Sequence, residues 1–200
     1  MFDARLRPLL DGPLSRTAAV LDRPAVTPDR LTLLGLVLGL ACAVASALAW
    51  WPAAAVLWLL SRAADGLDGP LARRRGPHDA GAGGFLDITC DFVVYGATVV
   101  GVALGAGGPL WPFLLVLLAY YVNGTAFLAF SSIAERAGRR IDDGRSLSFL
   151  GGLAEGAETI LVHTLWLVLP FWASRIALVW AALVAVSAAQ RVVAGYRALR

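Results

Sequence analysis

Four aspartates stand close together in a chain that is otherwise strongly apolar: Asp65, Asp68, Asp87 and Asp91, within the stretch DGLDGPLARRRGPHDAGAGGFLDITCD. Asp65 and Asp68 are spaced i,i+3, and Asp87 and Asp91 i,i+4, so on helices each pair shares one face. A short polar loop separates the pairs. Two helices joined in that way return antiparallel and bring the faces together. Converging carboxylates repel unless cations sit between them, and hard oxygen ligands of this kind suit Mg²⁺ or Mn²⁺. A hard divalent ion so held is suited to gripping phosphates. Carboxylates at membrane depth are costly and mark functional sites.

The elements that must position them are membrane helices. Of 200 residues, 58% are hydrophobic and only 16% are charged, with a mean hydropathy of +0.71. A soluble domain carries about 25% charged residues. The fold class expected is an all-α integral membrane protein, a six-transmembrane-helix bundle over residues 31–200, preceded by an N-terminal juxtamembrane amphipathic segment, residues 1–30. In that segment Phe2, Leu6, Leu9 and Leu10 can share a face away from Arg5 and Arg7, which reads as an interfacial helix, interrupted near Gly12-Pro13. Its charges leave no continuous apolar run for a cleavable signal peptide. Thr27-Pro28-Asp29 has the form of a helix start. Six apolar segments follow at about 31–50, 51–74, 83–105, 109–134, 151–170 and 173–198, each near the ~20 residues a spanning helix needs. The first aspartate pair falls in the last turns of the second segment, and the other pair in the first turns of the third.

Arginine sets the expected orientation. Of 17 arginines, all but Arg175 fall in the N-terminal arm, around the joint at 73–75, in the joint holding Arg136, Arg139, Arg140 and Arg145, or at the C-terminal end. The other joints are short and rich in tryptophan (Trp50-Trp51-Pro52, GAGGPLWP at 105–112, PFW at 170–172). By the positive-inside rule both termini and the aspartates face the cytoplasm of a multi-pass protein in the cell (inner or plasma) membrane. The net charge of +3 gives no ground for a nucleic-acid partner. Cys42 and Cys90 lie in apolar runs and are expected as buried free thiols.

Written as a pattern, the stretch is D-x-x-D-G-x-x-A-R, a loop, then G-x-x-x-D-x-x-x-D, carried by Asp65, Asp68, Gly69, Ala72, Arg73, Gly83, Asp87 and Asp91. This resembles the signature of the CDP-alcohol phosphatidyltransferases, membrane enzymes of phospholipid head-group synthesis. TPDRLTLLG at 27–35 is similar to the start of that family's first helix, and six helices is the family count. The loop between Arg73 and Gly83 is one residue longer than usual, with GGFLD keeping the helix register.

The resemblance implies a transferase that moves a phosphatidyl group from a CDP-linked lipid such as CDP-diacylglycerol to an acceptor alcohol, releasing CMP. It implies metal ligands at Asp65, Asp68, Asp87 and Asp91, and Asp91 as general base. It also implies a CDP site at Asp65, Asp68, Gly69, Ala72, Arg73 and Gly83. Gly69 and Ala72 are small enough to let the nucleotide approach the backbone, and Arg73 can pair with the diphosphate. Membrane lipids as surroundings and a homodimer are further expectations of the family. Arg74 and Arg75 are read as topology and headgroup residues, and His78 and Asp79 as solvated loop residues.

The acceptor side rests on Arg139, Arg140, Arg145, Glu155 and Arg191. Glu155 and Glu158 read equally as a polar wall of an acceptor pocket or as partners of Asn123, Thr125 or Arg191 inside the bundle. His163 reads as a satisfied buried histidine. Glycerol 3-phosphate is the expected acceptor, and inositol phosphate, an amino alcohol or phosphatidylglycerol are the alternatives. Two other classes use membrane carboxylates. A prenyltransferase resembles a longer bundle with its two Asp motifs far apart, whereas here they lie close in sequence. A carboxylate-lined cation transporter needs them at mid-membrane with a path outward, and here the outer half is uncharged.

Overall fold

A computed structural model of the chain describes residues 3–76, 81–138 and 154–200, with side chains from residue 9 onward. The described residues form seven α-helices: α1 Asp3–Leu21, α2 Pro28–Ala47, α3 Trp51–Arg75, α4 Ala82–Gly105, α5 Trp111–Arg136, α6 Gly156–Val168 and α7 Ala173–Leu199, with a 3₁₀ turn at Pro170–Trp172. Six helices thus follow the N-terminal one. On length and apolarity alone, four stretches can cross a membrane: Pro28–Ala47, Ala82–Gly105, Trp111–Arg136 and Pro170–Leu199. Of the six spans expected, these four are shown among the described residues. Helix α3 is long enough but carries Arg62, the first aspartate pair and three terminal arginines. Helix α6 has 13 residues, about 20 Å of helix against the ~30 Å hydrocarbon core. It ends at Val168 because Pro170 follows. The chain is a multi-pass, all-helical membrane protein.

Helix α2 is the template for the site. It packs along both α3 and α4, while α5 packs along α7. Small residues make the first contacts possible. A Cβ on Gly101 would overlap the Ala43 carbonyl, and one on Gly105 the Ser46 carbonyl. On α2, a Cβ at Gly35 would lie 3.3 Å from the Ser61 carbonyl, and one at Gly39 would strike Val94. Ser61 Oγ donates to the Gly35 carbonyl at 2.7 Å. Both aspartate-bearing helices are thereby held at close quarters against one neighbour. The expected start of α2 is found: Thr27 is the N-cap, its Oγ1 accepting from the Arg30 N–H at 3.3 Å, with Pro28 in the first turn.

Helix α6 closes the other side. His163 is fully buried between Trp58 and Tyr120, its ring stacked on both. The Tyr120 hydroxyl lies 2.9 Å from His163 Nε2 and accepts from Trp180 Nε1 at 2.7 Å. Trp58 Nε1 donates to Thr164 Oγ1 at 3.0 Å. These bonds tie α3, α5, α6 and α7 into one core. His163 is buried as expected but only half satisfied, since its Nδ1 has no hydrogen-bond partner among the described residues. Cys42 and Cys90 are buried and free, also as expected.

Helix α1 runs unbroken through Gly12-Pro13, where an interruption was expected. Packing overrides the local preference. Leu14 comes to rest beside Gly66 of α3, and Ala18 is buried with Leu31 and Leu71. Asp22 pairs with Arg75 at 2.9 Å and Arg74 at 3.7 Å, and Arg75 Nη2 also donates to the Arg23 carbonyl at 2.9 Å. The arginines read as headgroup residues therefore fasten α1 to the end of α3. Leu9 and Leu10 stay exposed.

Candidate active site

The last turns of α3 and the first of α4 bring the aspartates together. Oxygen atoms of Asp65, Asp87 and Asp91 lie within 4.8 Å of one another. Asp68 stands beside this trio with its own anchor: Thr32 Oγ1 of α2 donates to Asp68 Oδ2 at 2.5 Å. Asp68 is buried, and the other three are partly exposed. Gly81 leads into α4 at φ +102°, a conformation that L side chains avoid. Pro70 lies inside α3. Lacking an N–H, it removes the helical bond to the Gly66 carbonyl just after Asp65.

Among the described residues, one buried cation reaches the cluster. Arg62 Nη1 lies 2.6 Å from Asp91 Oδ1 and 3.6 Å from Asp65 Oδ2. One guanidinium cannot balance four carboxylates, so the centre carries an excess of negative charge that added cations would relieve. Three carboxylate oxygens at this mutual distance fit a hard divalent ion after small side-chain turns. Asp65, Asp87 and Asp91 are the residues that would hold it.

The remaining motif positions lie on the same two helices, Gly69, Ala72 and Arg73 on α3 and Gly83 on α4. Gly69 lies under Arg73, since a Cβ there would sit 3.3 Å from Arg73 Nη1. Ala72 and Arg73 are exposed and Gly83 is half-buried. Of the residues expected to bind the acceptor, Arg191 is buried in α7 and donates from Nη1 to Asn123 Oδ1 of α5 at 3.0 Å, with the Phe127 ring 5.9 Å from its Cζ. Thr125 bonds the Tyr121 carbonyl. Glu155 is buried at the N-cap of α6, and Glu158 follows in the first turn. Arg139, Arg140, Arg145, His78 and Asp79 lie outside the described residues.

Sequence reasoning missed two residues here. The sequence does not single out Arg62 among the arginines, although its i,i+3 spacing to Asp65 is the available signal. Thr32 gives no local signal, because only the packing of α2 on α3 brings it to Asp68. Thr32→Val is expected to lower stability by about 1.5–3 kcal/mol, the value of a hydrogen bond to a charged group, read as a lower unfolding midpoint in detergent.

Known proteins bear on this geometry. Over 100% of its length the chain is 41% identical to the inner membrane protein YnjF of Escherichia coli, covering 98% of that protein. It is 32% identical to the archaetidylinositol phosphate synthase of Pyrococcus horikoshii, over 69% of this chain and 78% of that one. The phosphatidylinositol phosphate synthase of Mycobacterium tuberculosis shares the fold. With manganese and citrate its structure gives a TM-score of 0.72 at 25% identity, covering 92% of this chain and 88% of that one. With CDP-DAG bound the TM-score is 0.71 at 24% identity, covering 92% and 93%. Residues 25–188, which include α2 to α6, both aspartate pairs and most of α7, match the CDP-alcohol phosphatidyltransferase family, and the chain belongs to that family of phosphatidyl-group-transferring enzymes.

Proposed function

We propose that this enzyme transfers a phosphatidyl group from a CDP-linked lipid such as CDP-diacylglycerol to an inositol phosphate, with release of CMP and dependence on Mg²⁺ or Mn²⁺. The observation that carries the chemistry is the gathering of Asp65, Asp87 and Asp91 oxygens within 4.8 Å, with Asp68 anchored beside them. The acceptor assignment departs from the glycerol 3-phosphate expected on sequence. It is supported by a relative at 32% identity that is an archaetidylinositol phosphate synthase, and by one at 25% that is a phosphatidylinositol phosphate synthase. Glycerol 3-phosphate appears in neither name.

In this reading Asp65, Asp68 and Asp87 are metal ligands and Asp91 is a ligand and the general base. Asp65, Asp68, Gly69, Ala72, Arg73 and Gly83 form the CDP site. The divalent ion supplies charge neutralisation at the diphosphate and the departing phosphate. The acceptor hydroxyl oxygen forms a bond to the phosphorus bearing the lipid as the phosphoanhydride bond breaks. CMP leaves with the bridging oxygen and its electron pair, and the hydroxyl proton passes to the Asp91 carboxylate. Arg73, exposed beside Gly69, pairs with the diphosphate. A buried cation at Arg191 suits a phosphorylated acceptor; Glu155 and, outside the described residues, Arg139, Arg140 and Arg145 are the other candidates for binding it.

The same reading takes all six helices after α1 as spans, both termini as cytoplasmic, and residues 1–30 as a juxtamembrane segment ahead of a catalytic domain at 31–200. Arginine distribution supports that orientation. Helix α3 tolerates its charges because they line the polar site rather than lipid. The exposed Leu9 and Leu10 suit a helix lying in the membrane interface. The active site then opens to the cytoplasm of the inner membrane, in an enzyme that works as a homodimer.

The test is CMP release from purified protein with Mg²⁺ and CDP-diacylglycerol, offering one acceptor at a time. Release stimulated by inositol phosphate and abolished by chelation is the expected result. Stimulation by glycerol 3-phosphate alone would return the acceptor to the sequence expectation, and no release with any acceptor would defeat the donor assignment.

A further inference from the structure

One turn before Asp65, α3 carries a guanidinium that is not part of the family motif. Arg62 is 8% exposed. Besides its contacts to Asp91 and Asp65, its Nη1 lies 3.4 Å from the Tyr95 hydroxyl. Its Nη2 donates to Ser61 Oγ at 3.0 Å, and that hydroxyl is bonded on to α2. The rings of Trp58 and Tyr95 flank it, each centroid 5.2 Å from Cζ. An orientation arginine at a membrane face extends its head into water. This one is turned inward, and its planar fork is gripped on several sides.

We propose that Arg62 is a built-in cation of the acidic centre, a positioning residue for the transfer reaction. It holds Asp91 by Oδ1, leaving Oδ2 to meet the acceptor hydroxyl. It also offsets part of the carboxylate charge and so limits how tightly the centre binds divalent ions. The inference rests on the transferase reading for the role of Asp91. Two consequences of opposite sign follow. A guanidinium within 4 Å of two carboxylates repels an incoming divalent ion, so removing it strengthens metal binding. Removing it also frees Asp91 to rotate, so turnover falls even at saturating metal. A residue that only braced the helices would weaken both properties or change neither.

Mn²⁺ binding to the purified protein without nucleotide, read by electron paramagnetic resonance, separates these cases. Arg62→Gln is expected to bind Mn²⁺ about tenfold more tightly, while kcat falls about a hundredfold and KM for CDP-diacylglycerol stays near the wild-type value. Arg62→Lys keeps the charge without the fork, so Mn²⁺ affinity stays at the wild-type value and kcat still falls. If Arg62→Gln does not fold, the double variant with Asp91→Asn removes both partners of the ion pair. It is expected to bind Mn²⁺ about tenfold more tightly than Asp91→Asn alone. Unchanged or weaker Mn²⁺ binding on loss of Arg62, or wild-type turnover in Arg62→Gln, overturns the inference alone. A wild-type protein that binds no Mn²⁺ overturns the metal assignment and this inference with it.

Discussion

Asp91→Asn is expected to cut CMP release by about a thousandfold, within the range for losing a general base, while Mg²⁺-dependent binding of a cytidine nucleotide persists. The substitution keeps the shape of the side chain and removes its capacity to take a proton. Asp65, Asp68 and Asp87 remain to hold the ion. The buried Arg62 keeps Asp65 at 3.6 Å together with its bonds to Tyr95 and Ser61, so the fold has reason to survive the lost pair. Turnover and nucleotide binding measured on the same preparation separate the two functions of the centre. Wild-type turnover in this variant would take Asp91 out of the base role.

Gly101→Val is expected to yield no folded protein. Its Cβ would overlap the Ala43 carbonyl of α2, a backbone atom with no rotamer to change. The only relief is to part α4 from α2, which also pulls Asp87 and Asp91 away from Asp65. Gly96, on the same helix, is the control: a Cβ there meets nothing within 4 Å. Gly96→Ala should fold and release CMP as the wild type does, with stability raised by about 0.5–1 kcal/mol because alanine favours helix. Size-exclusion profiles and unfolding midpoints in detergent distinguish the outcomes. A folded, active Gly101→Val protein would contradict the close packing of α2 on α4.

Much of this architecture is legible in the chain. The i,i+3 and i,i+4 aspartate spacings predict the shared helix faces, and Thr27-Pro28 predicts the start of α2. What escapes is what tertiary contact decides. Gly12-Pro13 reads as a break, yet Leu14 and Ala18 pack on α3 and its flank and carry the helix through. The fifth apolar segment reads as running to 170, but its helix stops at Val168, ahead of Pro170. Arg74 and Arg75 read as headgroup residues until Asp22 is brought opposite them. Arg62 is indistinguishable by composition from the topology arginines. Only its burial against Trp58, Tyr95 and Asp91 sets it apart. The acceptor is the least legible feature, because the reaction is encoded in the motif while the acceptor pocket draws on helices and joints far from it in sequence.

The proposed transfer requires the aspartates of α3 and α4 to act together as one divalent-metal centre. Diffraction from crystals grown with Mn²⁺, recorded for its anomalous signal, tests this most directly. A peak among the carboxylates of Asp65, Asp87 and Asp91, lost in Asp87→Asn, is the predicted result. A well-diffracting wild-type crystal with no peak there, or with Mn²⁺ bound only elsewhere, would contradict it.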